Sequence, residues 1–257
     1  MFDLGLKDRI AIVTGGSDGL GRATAARLAG EGCKVAICAR RADHLEAVAK
    51  AIVEETGGEV LACPADVTRP ADLDSLVEAT VARFGGVDIC VNNAGASAAA
   101  PFETVDDAAW AADIELKIMA VVRLCRRVIP IMRERGGGSI VNATIVGGKA
   151  PLARALPTTV TRAAGINLTK SLANEYAGDN IRVNTVCIGL LKSAQWDRRA
   201  GDRPVEALYD EMSTRVPLGR IGEAEDYADL VAFLVSERAA YITGAAINLD
   251  GGMAAVV

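Results

Sequence analysis

Two periods of apolar residues alternate along the chain. Short runs rich in β-branched residues lie at Arg9–Thr14, Lys34–Ala39, Val60–Pro64, Val87–Asn92, Ser139–Asn142, Ile181–Val186 and Ala245–Leu249. Between them, longer stretches place apolar residues every three or four positions, at Leu20–Glu31, Ala42–Thr56, Ala71–Phe84, Ala108–Arg135, Thr158–Tyr176 and Glu223–Ser236. The first spacing is that of strands and the second that of amphipathic helices. Several strand-like runs, such as Ala11-Ile12-Val13 and Val35-Ala36-Ile37-Cys38, are apolar at consecutive positions, as strands covered on both faces require. Regular β-α alternation predicts right-handed crossovers and an α/β fold, a doubly wound parallel sheet flanked by helices. No repeat, low-complexity stretch or Pro/Gly-rich linker divides it, so residues 1–257 read as a single domain.

Composition narrows the possibilities by exclusion. With 51% hydrophobic and 24% charged residues, the chain has enough apolar material for a large core and does not read as disordered. The net charge is −5 and the Lys and Arg residues are scattered, which excludes the basic stripe that a nucleic-acid partner needs. No apolar run reaches the roughly 18 residues of a membrane span, and the opening MFDLGLKDR lacks the pattern of a signal peptide, so a cytoplasmic protein without a membrane partner is expected. Six cysteines, none in a C-x-x-C pair, read as buried free thiols of a reducing compartment. The one histidine, His44, lies on a polar helix face, so neither a zinc site nor a Ser-His-Asp hydrolase is expected.

The candidate chemistry begins after the first strand, where Thr14-Gly15-Gly16-Ser17-Asp18-Gly19-Leu20-Gly21 leads into a helix. Glycines let the backbone turn tightly and approach a pyrophosphate, and the helix N-terminus offers free N–H groups to the anion. That block, with ADV at 65–67, NNAG at 92–95, GGSIVN at 137–142, IRVNTV at 181–186, PLGRIGEAEDYADLVAFL at 217–234 and YITGAAINLDGG at 241–252, resembles the short-chain dehydrogenase/reductase family in order and across almost the whole chain. The resemblance implies a Rossmann-type dinucleotide-binding domain with a substrate-loop segment at about 192–216. It implies an NAD(P) site built from Gly15, Ser17, Asp18, Gly19, Leu20, Arg40, Asp66, Val67, Asn93, Ala94, Gly95, Arg162, Ile188 and Ser193. In the family an acidic residue ending the second strand selects NAD. Here Ala39 stands there, followed by Arg40 and Arg41, which suit the 2′-phosphate of NADP. Asp18 argues the other way, because a carboxylate repels that phosphate. The balance favours NADP over NAD.

The catalytic positions depart from the family pattern. Members that interconvert carbonyls and alcohols resemble one another in a tyrosine, a lysine four residues later, a serine and an asparagine; the lysine brings the phenol toward a useful pKa. Counting back from Lys170-Ser171-Leu172-Ala173 puts the tyrosine position at Thr158 and the lysine position at Arg162. The serine position falls on Ile145, with Thr144 as the nearest hydroxyl, and the asparagine position on Lys117. No tyrosine lies between Asn92 and Lys170, so no local shift restores the pair. Lys117 has two readings: a surface i,i+4 pair with Asp113, or an ammonium directed into the pocket.

Three functions stay open on these residues. The expectation is an NAD(P)-binding protein without ordinary carbonyl reduction, a sensor or the inactive partner of an active relative. The second is an NAD(P)-dependent oxidoreductase in which Lys117, Lys149, Lys192, Tyr209 or the substrate supplies the proton. The third is a non-redox lyase or isomerase in the same pocket. A small-molecule ligand is expected in each case, under a polar loop that carries Trp196, Asp197, Arg198, Arg199, Asp202 and Arg203. Apolar faces on the two long middle helices, with the C-terminal INLDGGMAAVV as a second contact, predict a homotetramer, or a mixed oligomer with an active relative.

Overall fold

In the computed structural model, which describes residues 3–193, 196, 201 and 203–256, the apolar runs form a seven-stranded sheet. Its strands are β1 Ile10–Thr14, β2 Lys34–Ala39, β3 Glu59–Pro64, β4 Ile89–Asn92, β5 Gly138–Ile145, β6 Ile181–Ile188 and β7 Ala246–Leu249. They lie in the order β3-β2-β1-β4-β5-β6-β7 and every neighbouring pair is parallel. Alternate residues of one strand serve opposite faces. Ala11, Val13, Val35 and Ile37 pack with α1 (Gly19–Gly30) and α2 (Ala42–Thr56), whereas Ile12, Ala36 and Cys38 pack with α3 (Pro70–Phe84). Because both faces are covered, the central strands are buried at consecutive positions and mostly apolar, as in the fully buried β1, whose only polar residue is the terminal Thr14.

Two elements differ from the expectation. The single helix read at Ala108–Arg135 is α4 (Asp107–Ile114), a wider π-helical turn at Glu115–Met119, and α5 (Ala120–Glu134). A π turn inserts a residue without breaking the apolar pattern, so periodicity alone does not reveal the change of phase. The segment read as loop at 192–216 contains a helix, α7 (Val205–Ser213), that follows α6 (Thr158–Tyr176). Its Met212 joins Val216 and Ile221 in a small separate core, against which Leu190, Trp196, Leu208 and Tyr209 pack. Asp197, Arg198, Arg199 and Asp202 lie outside the described residues. The last long helix, α8, spans Ala224–Val235.

Strand order reverses between β1 and β4, since β1 is followed outward by β2 and β3 while the later strands extend the other way. At such a switch point the loops leaving the carboxyl ends diverge and open a crevice. The loops after β1, β4, β5 and β6 all reach it.

Candidate active site

The crevice is a cleft of about 1300 Å³. Every residue expected on the nucleotide side, Gly15, Ser17, Asp18, Gly19, Leu20, Arg40, Asp66, Val67, Asn93, Ala94, Gly95, Arg162, Ile188 and Ser193, lines it. The turn between β1 and α1 is held by close backbone contact. Gly15 sits at φ +67°, and a Cβ on Gly21 would lie 2.0 Å from the Gly15 carbonyl oxygen. Thr14 Oγ1 accepts from the N–H groups of Asn93 and Ala94, both at 3.0 Å, and the Asn93 amide donates to the Thr14 carbonyl at 3.0 Å. These bonds fix the β4 loop against the glycine turn and leave the α1 N-terminus facing the cleft.

Charge at one end of the cleft is arranged differently from the sequence reading. Asp18 is not a free carboxylate: Arg41 donates to it at 2.9 Å, Ser17 at 2.9 Å, and His44 lies 3.0 Å away. Partial burial works to raise the Asp18 pKa, but the bonds from His44 and Ser17 and the charge of Arg41 outweigh it and hold the carboxyl below its usual range. Arg41 is therefore engaged by Asp18, so the expected pair of arginines reduces to Arg40. Arg40 is exposed at the rim, and among the described residues nothing hydrogen-bonds its guanidinium.

The other end is more apolar and carries the replaced catalytic positions. Ile145, at the end of β5, lines the cleft with Thr158 and Arg162 from α6. Leu152, Trp196 and Met253 complete the wall; none follows a local spacing that would mark it in the sequence. Arg162 donates to the Ala143 carbonyl at 2.6 Å, while its Nε is buried without a hydrogen-bonding partner among the described residues.

Lys117 combines its two sequence readings. It does pair with Asp113 one turn away, but the pair is inside the protein, with the Lys117 side chain 0% exposed. The π turn at Glu115–Met119 carries this lysine inward from between α4 and α5. Its ammonium donates to Asp113 Oδ1 and, at 2.9 Å, to Thr158 Oγ1; Thr161 donates to the other Asp113 oxygen at 2.7 Å. Desolvation depresses the Lys117 pKa and nearby Arg162 adds to this, against the opposing bond and charge of Asp113. Lys117 does not line the cleft itself; Thr158 stands between them.

The other candidate donors are committed elsewhere. Lys149 donates to the Ala246 carbonyl and Asn248 Oδ1, both at 2.7 Å. Lys192 pairs with Glu223, and its ammonium lies 5.7 Å from the centre of the Tyr209 ring. Burial pushes the thiols of Cys38 and Cys125 up to about 12, which removes them as nucleophiles near neutral pH. No described helix is long and apolar enough to cross a membrane.

Known proteins are similar to this chain over nearly its whole length. A family model described as enoyl-(acyl carrier protein) reductase matches residues 15–254. The chain is 36% identical over 251 residues to 2-(R)-hydroxypropyl-CoM dehydrogenase of Xanthobacter autotrophicus, covering 96% of this chain and 99% of that protein. It is 35% identical over 247 residues to a 3-oxoacyl-acyl-carrier-protein reductase of Staphylococcus epidermidis, with coverages of 96% and 99%. The crystal structure of L-sorbose reductase from Gluconobacter frateurii, complexed with NADPH and L-sorbose, superposes with a TM-score of 0.96 at 35% identity over 100% of both chains.

These relatives correct the expectation of a protein without ordinary carbonyl reduction. Proteins about 35% identical over nearly the full length are named as working dehydrogenases and reductases, which points to NAD(P)-dependent carbonyl reduction and away from a sensor or an inactive partner. The expectation equates a missing phenol with a missing proton donor, yet the structure places a buried ammonium on a hydroxyl at the same end of the cleft. With the glycine turn, the sheet order and the later motifs matched from residue 15 to residue 254, the chain belongs to the short-chain dehydrogenase/reductase family.

Proposed function

We propose that the protein is an NADP(H)-dependent oxidoreductase that interconverts a carbonyl compound and its alcohol, with the proton supplied by groups other than a tyrosine. The observation that carries this reading is one continuous cleft, which joins a glycine turn and an arginine with no hydrogen-bonding partner among the described residues to a more apolar end where Lys117 donates to the Thr158 hydroxyl. The residues fit a phosphorylated dinucleotide. The Gly15–Gly21 backbone and the α1 N-terminus suit a pyrophosphate. Arg40 suits a 2′-phosphate, now that Asp18 is neutralised by Arg41. Asp66 and Val67 flank the adenine end, and Asn93, Ala94 and Gly95 border the middle of the cleft. The orphaned Nε–H of Arg162 is a donor in search of an acceptor, which a ribose hydroxyl provides. Ser193 lies beside the glycine turn, its Cβ 3.9 Å from where a Cβ on Gly19 would be, and suits the pyrophosphate, while Ile188 lines the cleft at the end of β6 and suits the nicotinamide half. When bound, the cofactor supplies a hydride to the carbonyl carbon or takes one from the alcohol.

The chamber favours substrates with apolar groups beside the carbonyl, because Ile145, Leu152, Trp196 and Met253 form much of its wall. The test is steady-state turnover with NADPH and NADH over a panel of ketones and secondary alcohols that ranges from sugars to alkyl and aryl ketones. Apolar ketones reduced faster with NADPH support the reading, and tight NADPH binding with no turnover of any member contradicts it. We also propose a homotetramer. Ile114 on α4 and Val160 on α6 are exposed at 42% and 49%, beside exposed Ala111, Ala163 and Ala164, a small-residue face suited to close packing of a second copy.

A further inference from the structure

Thr158 Oγ1 has an unusual hydrogen-bond inventory for a buried hydroxyl. A hydroxyl accepts two hydrogen bonds and donates one. Here both accepting positions are filled, by the Ala98 backbone N–H at 2.9 Å and the Lys117 ammonium at 2.9 Å. Among the described residues no protein atom accepts from Thr158, so its one proton is left for whatever enters the cleft that Thr158 lines. The same lysine is anchored by Asp113, which is itself fixed by Thr161. The result is a buried chain from Asp113 through Lys117 to Thr158 that ends in a hydroxyl polarised outward.

We propose that Thr158 is the catalytic residue that exchanges the proton with the substrate oxygen, and that Lys117 acts through it as a positioning residue that replaces that proton. This rests on the carbonyl–alcohol reading above. In the reducing direction a new C–H bond forms with the hydride, the nicotinamide is oxidised, and the carbonyl π pair moves to oxygen. That oxygen takes the Thr158 hydroxyl proton while the Lys117 ammonium gives one of its protons to Thr158 Oγ1. Lys117 is left neutral beside the Asp113 carboxylate. After the alcohol leaves, one proton returns from solvent through the same hydroxyl, so each turnover consumes one hydride and one proton; alcohol oxidation runs the reverse course. A threonine hydroxyl is a poor acid alone, but in this relay it never holds a full negative charge because the ammonium replaces its proton as it is given up.

The groups facing Lys117 set the direction of its response to pH. Asp113 on its own helical segment favours the ammonium, Arg162 on α6 opposes it, and Thr158 and Thr161 are neutral. Burial lowers the Lys117 pKa and so makes its proton easier to give up than that of an exposed lysine. Reduction therefore falls as pH rises through the Lys117 titration, because the charged form is the donor.

Four variants and one titration test the relay. Thr158→Val, nearly isosteric, should lower kcat by about 10²-fold or more, the usual size of a lost general acid, with the NADPH Kd within about twofold of wild type. Thr158→Ser should keep most of kcat, because the hydroxyl remains. Lys117→Gln should lower kcat and abolish the alkaline fall of the pH profile. Lys117→Arg, which keeps the charge but does not surrender a proton, should not rescue kcat, whereas a merely structural lysine would be rescued. In the cofactor-free protein, the Lys117 Cε resonance should titrate below the ordinary lysine range, and Thr158→Val should lower it further by removing an acceptor of the charged form. Full kcat in Thr158→Val, or a wild-type pH profile in Lys117→Gln, overturns the relay. If the wild type reduces no carbonyl at all, the functional reading fails first; the relay is still decided, because a Lys117 resonance of ordinary pKa that ignores Thr158→Val overturns it independently.

Discussion

At the scale of single residues, two buried or rim charges carry the account. Arg40 is the guanidinium left for a phosphate once Asp18 holds Arg41. A charge-assisted hydrogen bond contributes about 1.5–3 kcal/mol, so Arg40→Ala should raise the NADPH Kd by roughly ten- to a hundredfold and leave NADH nearly unchanged. Equal losses for the two cofactors, read by fluorescence titration, would remove the phosphate contact. Asp113 is the other charge. Removing one partner of a buried ion pair strands the other, at about 3–5 kcal/mol. Asp113→Ala should therefore lower the melting temperature sharply, while Asp113→Leu combined with Lys117→Met should recover much of the loss; an Asp113→Ala protein as stable as wild type would mean that water reaches the pair. The sequence identifies Lys117, Ile145, Thr158 and Arg162 as the altered positions, because fixed motifs count them out. It does not show that Lys117 reaches Thr158 across 41 residues of sequence, since that contact depends on how α6 crosses the π turn.

Elements explain which parts of the fold were legible. Strands buried on both faces declare themselves as consecutive apolar residues, and the Lys34–Ala39, Ala42–Thr56 and Thr158–Tyr176 elements appear with the expected bounds. The helix Val205–Ser213 was hidden because its apolar stripe at Leu208, Tyr209 and Met212 is short and set among charges that read as loop. The glycine turn makes a direct prediction at this scale. A Cβ on Gly21 would sit 2.0 Å from the Gly15 oxygen, so Gly21→Ala must displace the turn, costing about 1–3 kcal/mol and abolishing NADPH binding; retained binding would show that the turn tolerates displacement. The start of α8 makes another. Asp226 accepts from Arg220 and, at 2.9 Å, from the Glu223 N–H, and these bonds hold its carboxyl below the usual range. A carboxyl lowered in the folded state adds stability that is present above its unfolded pKa and lost as pH falls through its folded pKa. Asp226→Ala should thus cost about 0.5–2 kcal/mol near neutrality, the usual worth of a cap, and the gap from wild type should close in acid. A gap that persists at acid pH would assign the effect to packing.

For the whole molecule, the sheet gathers the ends of β1, β4, β5 and β6 around one cleft, and that shared rim is what joins a nucleotide-shaped end to a reaction chamber. Light scattering should report a tetramer mass, and a monomer at micromolar concentration would mean that the α4 and α6 faces stay uncovered. The central claim is that this cleft passes a hydride directly between a nicotinamide and a carbonyl carbon. The most direct measurement is reduction of the best ketone with NADPH deuterated at the transferable position, followed by mass spectrometry of the product. The account predicts an alcohol carrying a single deuterium at the former carbonyl carbon, and Thr158→Val forming it far more slowly. An alcohol without deuterium, or deuterated cofactor recovered intact after tight binding, would contradict it.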